Sequence, residues 1–274
     1  MVYGRYGKIF QKYREERNLS RTDFLECQIT KSALEKFENG EKSLSIEKID
    51  AALQYMNIPL HEYSYRLNKG TNDYFIELFE EIDNAFYCED KVRLQEIYKS
   101  GIECPDLRLI ALSAKACYSS LDPEEQKEIA DYLFMIEFWG AKELWIFTDT
   151  IDQLASSTIG LLLDEFLIKS SYYRNITDYN RLIVQAANNA VLVMIARGNK
   201  NSARTILDFV SANLWEVDEF ARTVNLFMSG YWDYQFKDKI IGKNEMEQAL
   251  SIFKVLKCEH LHNIYRKQYD KIIK

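Results

Sequence analysis

The sequence predicts an all-α chain in two parts, on three observations. Only 10 of 274 residues are Gly and 3 are Pro, roughly 4% and 1% against typical values of about 7% and 5%, which leaves few residues for the turns of an all-β or α/β chain. Apolar residues recur at helical spacing along most of the chain, in stretches of about 12 to 20 residues past position 71. The breaks between them are brief. A prior of about 150 residues per domain gives two domains, and apolar and charged fractions of 47% and 28% are those of a globular chain.

In the first part, Tyr6, Ile9, Phe10 and Tyr13 fall on a helix ending near Asn18, and Ser20 offers an N-cap for a second helix carrying Phe24 and Leu25. After the turn Cys27-Gln28-Ile29, Thr30 caps a third helix whose inward pair is Leu34 and Phe37, and Gly40 after Asn39 stops it. Ser45 caps a fourth helix with Ile46, Ile49, Leu53 and Met56 inward, and Pro59 opens a fifth with Leu60, Tyr63 and Leu67 inward. Residues 1–67 are therefore expected to form one helical DNA-binding domain. Two helices joined by a turn, the second with a polar outer face, make a helix-turn-helix reader. Lys31 and Ser32 lie in its first turn and Lys36 one turn on; Lys donates to guanine O6 and N7, and Ser serves either base type.

The second part, residues 72–274, divides into eleven helices at breaks near Tyr87–Asp90, Ser100–Pro105, Ser119–Pro123, Trp139–Ala141, Ser156–Thr158, Arg174–Asp178, Arg197–Asn201, Leu214–Asp218, Lys237–Lys243 and Lys257–Glu259. Each pair with its turn has the roughly 35 to 40 residue period of tetratricopeptide-like repeats, without a recurring consensus string. About five such hairpins stack into a right-handed superhelix with a concave inner face, where a peptide or partner helix binds. Polar groups within the apolar periodicity are the candidates to line it: Tyr172, Tyr173, Arg181, Gln185, Asn188, Asn189, Asn225 and Tyr231. An Asn amide both donates to and accepts from a peptide backbone; the alternatives are that Asn188 and Asn189 serve neighbouring helices and that Arg181 pairs with Asp178.

Charge divides unevenly. Residues 1–68 carry 11 Lys+Arg and 10 Asp+Glu, and the remainder 24 and 32, so an acidic bulk follows a near-neutral segment that can still dock on phosphate. No apolar run approaches the 18 or so residues of a membrane span, and the N-terminus lacks a secretory pattern, so the expected compartment is the cytoplasm. Five scattered Cys without a CxxC pair argue against disulfides and zinc. Three His, with His260 and His262 pointing apart on a helix, and no Gly-rich phosphate loop or nucleophile elbow, argue against an enzyme, a metal site or a cofactor.

The string Thr30 to Gly40, with Arg14 upstream and Leu19-Ser20 between, resembles the phage-repressor-like (Cro/XRE) helix-turn-helix family over residues 3–68. The resemblance implies that Glu38 pairs with Arg14 as a structural ion pair, that Lys31, Ser32, Ala33 and Lys36 occupy the base-reading positions, and that Arg21 and Asn39 sit at phosphate-holding positions beside the Thr30 cap. Followed by helical hairpins, and with Ala187-Asn188-Asn189-Ala190-Val191-Leu192, Gly230-Tyr231 and Ala249-Leu250-Ser251-Ile252-Phe253, the whole chain resembles the Rgg/GadR/MutR regulators. That resemblance implies a homodimeric transcriptional regulator that binds a near-palindromic operator in double-stranded DNA and takes a short signalling peptide in its repeats, with Asn189 at a ligand-contact position. The alternatives are a repeat-scaffold adaptor and a regulator of this type without a peptide.

Overall fold

The computed structural model describes residues 4–69, 73–169 and 176–274. Its regular structure there is helical throughout, fifteen α-helices and two 3-10 segments. Contacts divide the chain into units of Met1–Glu77 and Leu78–Lys274.

In the first unit α1 (Gly4–Glu16), α2 (Lys31–Glu38), α3 (Ile46–Tyr55) and α4 (Leu60–Leu67) enclose Phe10, Tyr13, Phe24, Ile29, Leu34, Phe37, Leu53 and Tyr63. Phe10 sits between Phe24 and Phe37 at ring distances of 5.6 and 5.7 Å in tilted and edge-on geometries, the arrangement aromatic quadrupoles favour. The expected second helix is instead a five-residue 3-10 segment, Arg21–Leu25. It is confined between left-handed residues Asn18 and Gln28 (φ 54° and 57°), and Asp23 draws it tight by accepting from both the amide (2.7 Å) and the hydroxyl (2.8 Å) of Ser20.

Two residues expected inward, Ile46 and Leu60, are exposed, as is Leu25. Ile46 and Leu60 each begin a helix, where the first turn projects past the core. Leu44, just before the Ser45 cap, packs on the core instead, one turn from Ile49 in the manner of a hydrophobic staple. At Gly7 the first helix crosses the end of α2 so closely that an added Cβ would lie 1.9 Å from the Phe37 carbonyl oxygen.

The second unit is built on α5 (Tyr74–Tyr87), α6 (Lys91–Gly101), α7 (Arg108–Ala116), α8 (Pro123–Met135), α9 (Ala141–Thr150), α10 (Ser156–Lys169), α11 (Thr177–Ala196), α12 (Lys200–Asn213), α13 (Glu219–Phe236), α14 (Lys239–Val255) and α15 (Glu259–Ile272). Helix α6 packs on α7, α8 on α9, α11 on α12 and α13 on α14, while α7 packs on α9, α9 on α11 and α11 on α13. This is the contact pattern of stacked hairpins, in which the helices starting at Arg108, Ala141, Thr177 and Glu219 form one series.

Two expected breaks are helical instead. Ser156, Ser157 and Thr158 form the first turn of α10. Lys239 to Lys243 belong to α14, because the Asp238 carboxylate accepts from the amides of Ile240 (2.8 Å) and Ile241 (3.1 Å) and starts the helix at once. Gly230 and Gly242 let α13 and α14 touch backbone to backbone; a Cβ on Gly242 would meet the Tyr234 nitrogen at 2.1 Å. Among the described residues no helix is long and apolar enough to cross a membrane.

Candidate functional site

Helix α2 is short, and its two faces differ sharply. Leu34 and Phe37 are essentially inaccessible, whereas Lys31, Ser32, Glu35, Lys36 and Asn39 are exposed and Ala33 is half-buried. Thr30 holds the N-terminus by accepting from the Ala33 amide at 3.2 Å, which aligns the first-turn amides outward with the positive end of the helix. Lys31 and Lys36 form no ion pair among the described residues. The Asn39 amide donates to Glu41 at 3.2 Å.

Beneath that face lies a buried charge network. Glu38 is fully buried, and Arg14 donates to it through Nε (2.6 Å) and Nη2 (3.0 Å) in the two-pronged geometry that matches guanidinium to carboxylate. Arg14 also donates to the Leu19 carbonyl at 2.8 Å, and its pKa is raised, chiefly by the Glu38 hydrogen bond. Arg21 does not stand free toward solvent. Its Nε donates at 2.8 Å to Glu38 Oε2, the oxygen that also accepts from Arg14 Nη2, and its Nη1 lies 4.0 Å from Glu35, so one carboxylate fixes α1, the 3-10 segment and α2 against each other.

In the repeat unit a cavity of about 250 Å³ is lined from six helices: Asp83, Phe86 and Tyr87 of α5, Ala116 and the adjoining Cys117 of α7, Thr148 and Asp149 of α9, four residues of α11, Met228 of α13, and Ile264, Tyr265 and Gln268 of α15. Of the groove residues read from sequence, Gln185 and Asn189 line it, together with Leu192 and Val193. Asn188 does not. Neighbours on a helix point about 100° apart, and Asn188 is turned into the core, 2% exposed. Asn225 is buried and donates to the Ser211 hydroxyl at 3.2 Å, and Tyr231 is buried away from the lining. Arg181 is exposed and its Nε donates to Asp218 at 3.1 Å; the side chain of Asp178 lies outside the described residues, as do Tyr172 and Tyr173.

The acidic lining was missed at the sequence level. Burial, with the neighbouring Asp83 and Asp152, raises the Asp149 carboxyl well above the usual carboxylate range. Burial pushes Asp83 up to about 6, with Glu80 raising it further and a hydrogen bond from Trp145 acting against the rise. Asp152 is raised as well, again chiefly by burial. Neither Asp149 Oδ2 nor Gln268 Oε1 has a hydrogen-bond partner, and both are sealed from solvent. The available signal was the pair Asp149 and Asp152, one helical turn apart between Ile146-Phe147 and Leu154 and without a Lys or Arg in that stretch.

Residues 68–267 match the family model described as the C-terminal domain of the HTH-type transcriptional regulator Rgg. The chain belongs to the Rgg family. A helix-turn-helix model matches residues 10–63 of this Rgg chain, which is thus an HTH-type transcriptional regulator. Its fold is shared by the SHP pheromone receptor Rgg2 of Streptococcus dysgalactiae at 23% identity, TM-score 0.81, covering 97% of this chain and 99% of that one. A Listeria monocytogenes EGD-e protein matches at 18% identity, TM-score 0.83, covering 99% and 98%. PrgX in complex with cCF10 matches at 15% identity, TM-score 0.70, covering 98% and 92%.

Proposed function

We propose that this Rgg chain is a peptide-controlled regulator in which α2 enters the major groove of operator DNA. Lys31, Ser32, Ala33 and Lys36 meet base edges there, while Thr30, Asn39 and the α2 N-terminus approach phosphates. The observation that carries this reading is the two-sidedness of α2: an outward face of unpaired Lys and Ser on a helix locked from below by Leu34, Phe37 and Glu38. Arg21, held by Glu38, serves chiefly to fix the reader and lends its remaining donors to phosphate.

A homodimer presents two such helices about 34 Å apart, so the operator is near-palindromic. The cavity reached by Gln185 and Asn189 is the seat of a short peptide. Proteins that share this fold include the SHP pheromone receptor Rgg2 and a bacterial peptide pheromone/receptor complex, which supports that assignment. A peptide that fits one arrangement of the dimer better than another shifts its population, and operator DNA must then alter peptide affinity by the same factor.

The test is selection of bound sequences from a random duplex library with the full-length chain. Enrichment of an inverted repeat is expected, and Lys36→Ala should weaken binding to it by about 10- to 100-fold, equivalent to about 1 to 3 kcal/mol, with relaxed preference at one position per half-site. Failure to enrich any sequence would remove the DNA-reading assignment.

A further inference from the structure

We propose that the repeat-unit cavity selects its ligand for a cationic group, an ammonium or guanidinium borne by an otherwise apolar short peptide. The inference deepens the reading of the cavity as a peptide site and rests on it. Three aspartates, Asp83, Asp149 and Asp152, stand in the one cavity, and its described lining contains no Lys, Arg or His. Arg197 lies outside the lining; it donates to the carbonyls of Leu154 and Asp152 at 2.6 Å each, and its charge partly offsets the rise at the Asp152 carboxyl.

The orphaned atoms, Asp149 Oδ2 and Gln268 Oε1, are both acceptors once Asp149 is ionised, and they come from α9 and α15. Whatever satisfies them must bring donors. Without a partner the Asp149 carboxyl is held toward its neutral form by burial, and a cation arriving from outside offsets the desolvation of its charged form. An ammonium supplies three donors and a guanidinium five. Apart from Thr148, Gln185 and Asn189 the rest of the wall is largely apolar, with Phe86, Ile151, Leu192, Met228 and Ile264, so the cation must ride on a largely hydrophobic body. At about 250 Å³ the space lies just below the roughly 300 Å³ of ordinary small-ligand pockets. It therefore receives one end or one side chain of a peptide rather than its whole length.

The experiment offers the full-length protein a mixture of octapeptides built from Leu, Ile and Val. One position carries Lys, Glu or norleucine, and the N-terminus is free or acetylated; bound members are identified by mass spectrometry. Members with a positive charge should be recovered at least tenfold over the acetylated norleucine and Glu members. Loss of the preference on acetylation assigns the cation to the chain terminus, and persistence assigns it to the side chain; either supports the proposal.

Asp149→Asn keeps the shape, and should reduce the preference to below threefold while recovery of the acetylated norleucine members is unchanged. Asp83→Asn is the second variant should the first fail to fold. Recovery blind to charge, or favouring Glu, would overturn the cation while leaving the peptide site standing. Recovery of no octapeptide of any charge would overturn the peptide site and this inference with it.

Discussion

The two units bury carboxylates under opposite rules. In the N-terminal unit the sealed Glu38 receives two bonds from Arg14 and one from Arg21; in the repeat unit the sealed oxygen of Asp149 receives none. Desolvation penalises both groups alike, and only the first is compensated from within the chain. The difference separates two kinds of buried charge. One is closed on itself and locks helices together, so its value is rigidity. The other is left open at a cavity wall, where the fold tolerates the loss of stability and gains a place for a ligand.

The comparison breaks most sharply at Glu38. Glu38→Ala strands Arg14, whose side chain is 8% exposed, beside an empty space, and breaking a buried pair in this way costs about 3 to 5 kcal/mol. The units can be followed separately, because all four Trp, at positions 139, 145, 215 and 232, lie in the repeat unit. Expected is an early loss of helical circular dichroism at low urea, with the tryptophan transition unmoved. Transitions that shift together would show that Glu38 supports more than its own unit.

Gly7→Ala tests the same closed unit by overfilling it. The new methyl would fall 1.9 Å from the Phe37 carbonyl oxygen, and backbone rather than a flexible side chain must give way. A cost of about 3 kcal/mol follows from the upper range for overpacked sites, read as a lower urea midpoint by circular dichroism. An unchanged midpoint would mean that α1 is free to slide over α2.

Much of this was legible in the residues, and the failures share a cause. The caps Thr30 and Ser45, the inward pair Leu34 and Phe37, and the stop at Gly40 are local signals, because they act through neighbours within one turn. Arg14 and Glu38 were paired only through the family's pattern, since 24 positions separate them and spacing alone says nothing of their contact. In the repeats, periodicity marked α11 as amphipathic but not which of Asn188 and Asn189 faces inward, a matter of about 100° decided by packing. Asp83, Asp149 and Gln268 escaped notice because the cavity joins six helices spread along almost 200 residues. Only Asp149 and Asp152, two acids one turn apart with no Lys or Arg between Ile146 and Leu154, left a trace.

The open site should also reveal itself through pH. The Asp83 carboxyl stands at about 6 against an ordinary 3.8, so the folded chain holds its proton more tightly than the unfolded one. Stability from this group is complete below about pH 4 and is lost as pH rises toward and through about 6, a loss on the order of 2 kcal/mol. The groups around it are Glu80, Asp149, Asp152, Arg197, Trp145, Tyr87, Cys117 and Tyr265. Of these, Tyr87 is pushed up to about 12, and the Cys117 thiol is raised by burial, so both stay neutral across that window. Asp83→Asn, which keeps an acceptor for Trp145, should raise the urea midpoint of tryptophan fluorescence at pH 7 and leave it unchanged at pH 4. A gain of equal size at both values would mean that the charge is not what strains the site.

The smallest effect belongs to the cap of the reading helix. Thr30 supplies a single hydrogen bond, to the Ala33 amide at 3.2 Å, at an exposed position where water competes for the same donor. Thr30→Ala should therefore cost about 1 kcal/mol, with Thr30→Ser recovering most of it, both read from the circular dichroism transition. Operator affinity adds a second measurement. If the cap only starts the helix, Ala and Ser variants should rank in affinity as they rank in stability. If Thr30 also touches phosphate, Ala should lose additional affinity that shrinks as salt is raised, and Ser should retain it. An equal loss at every salt concentration would place Thr30 among the closed, structural contacts of its unit and remove it from the DNA face.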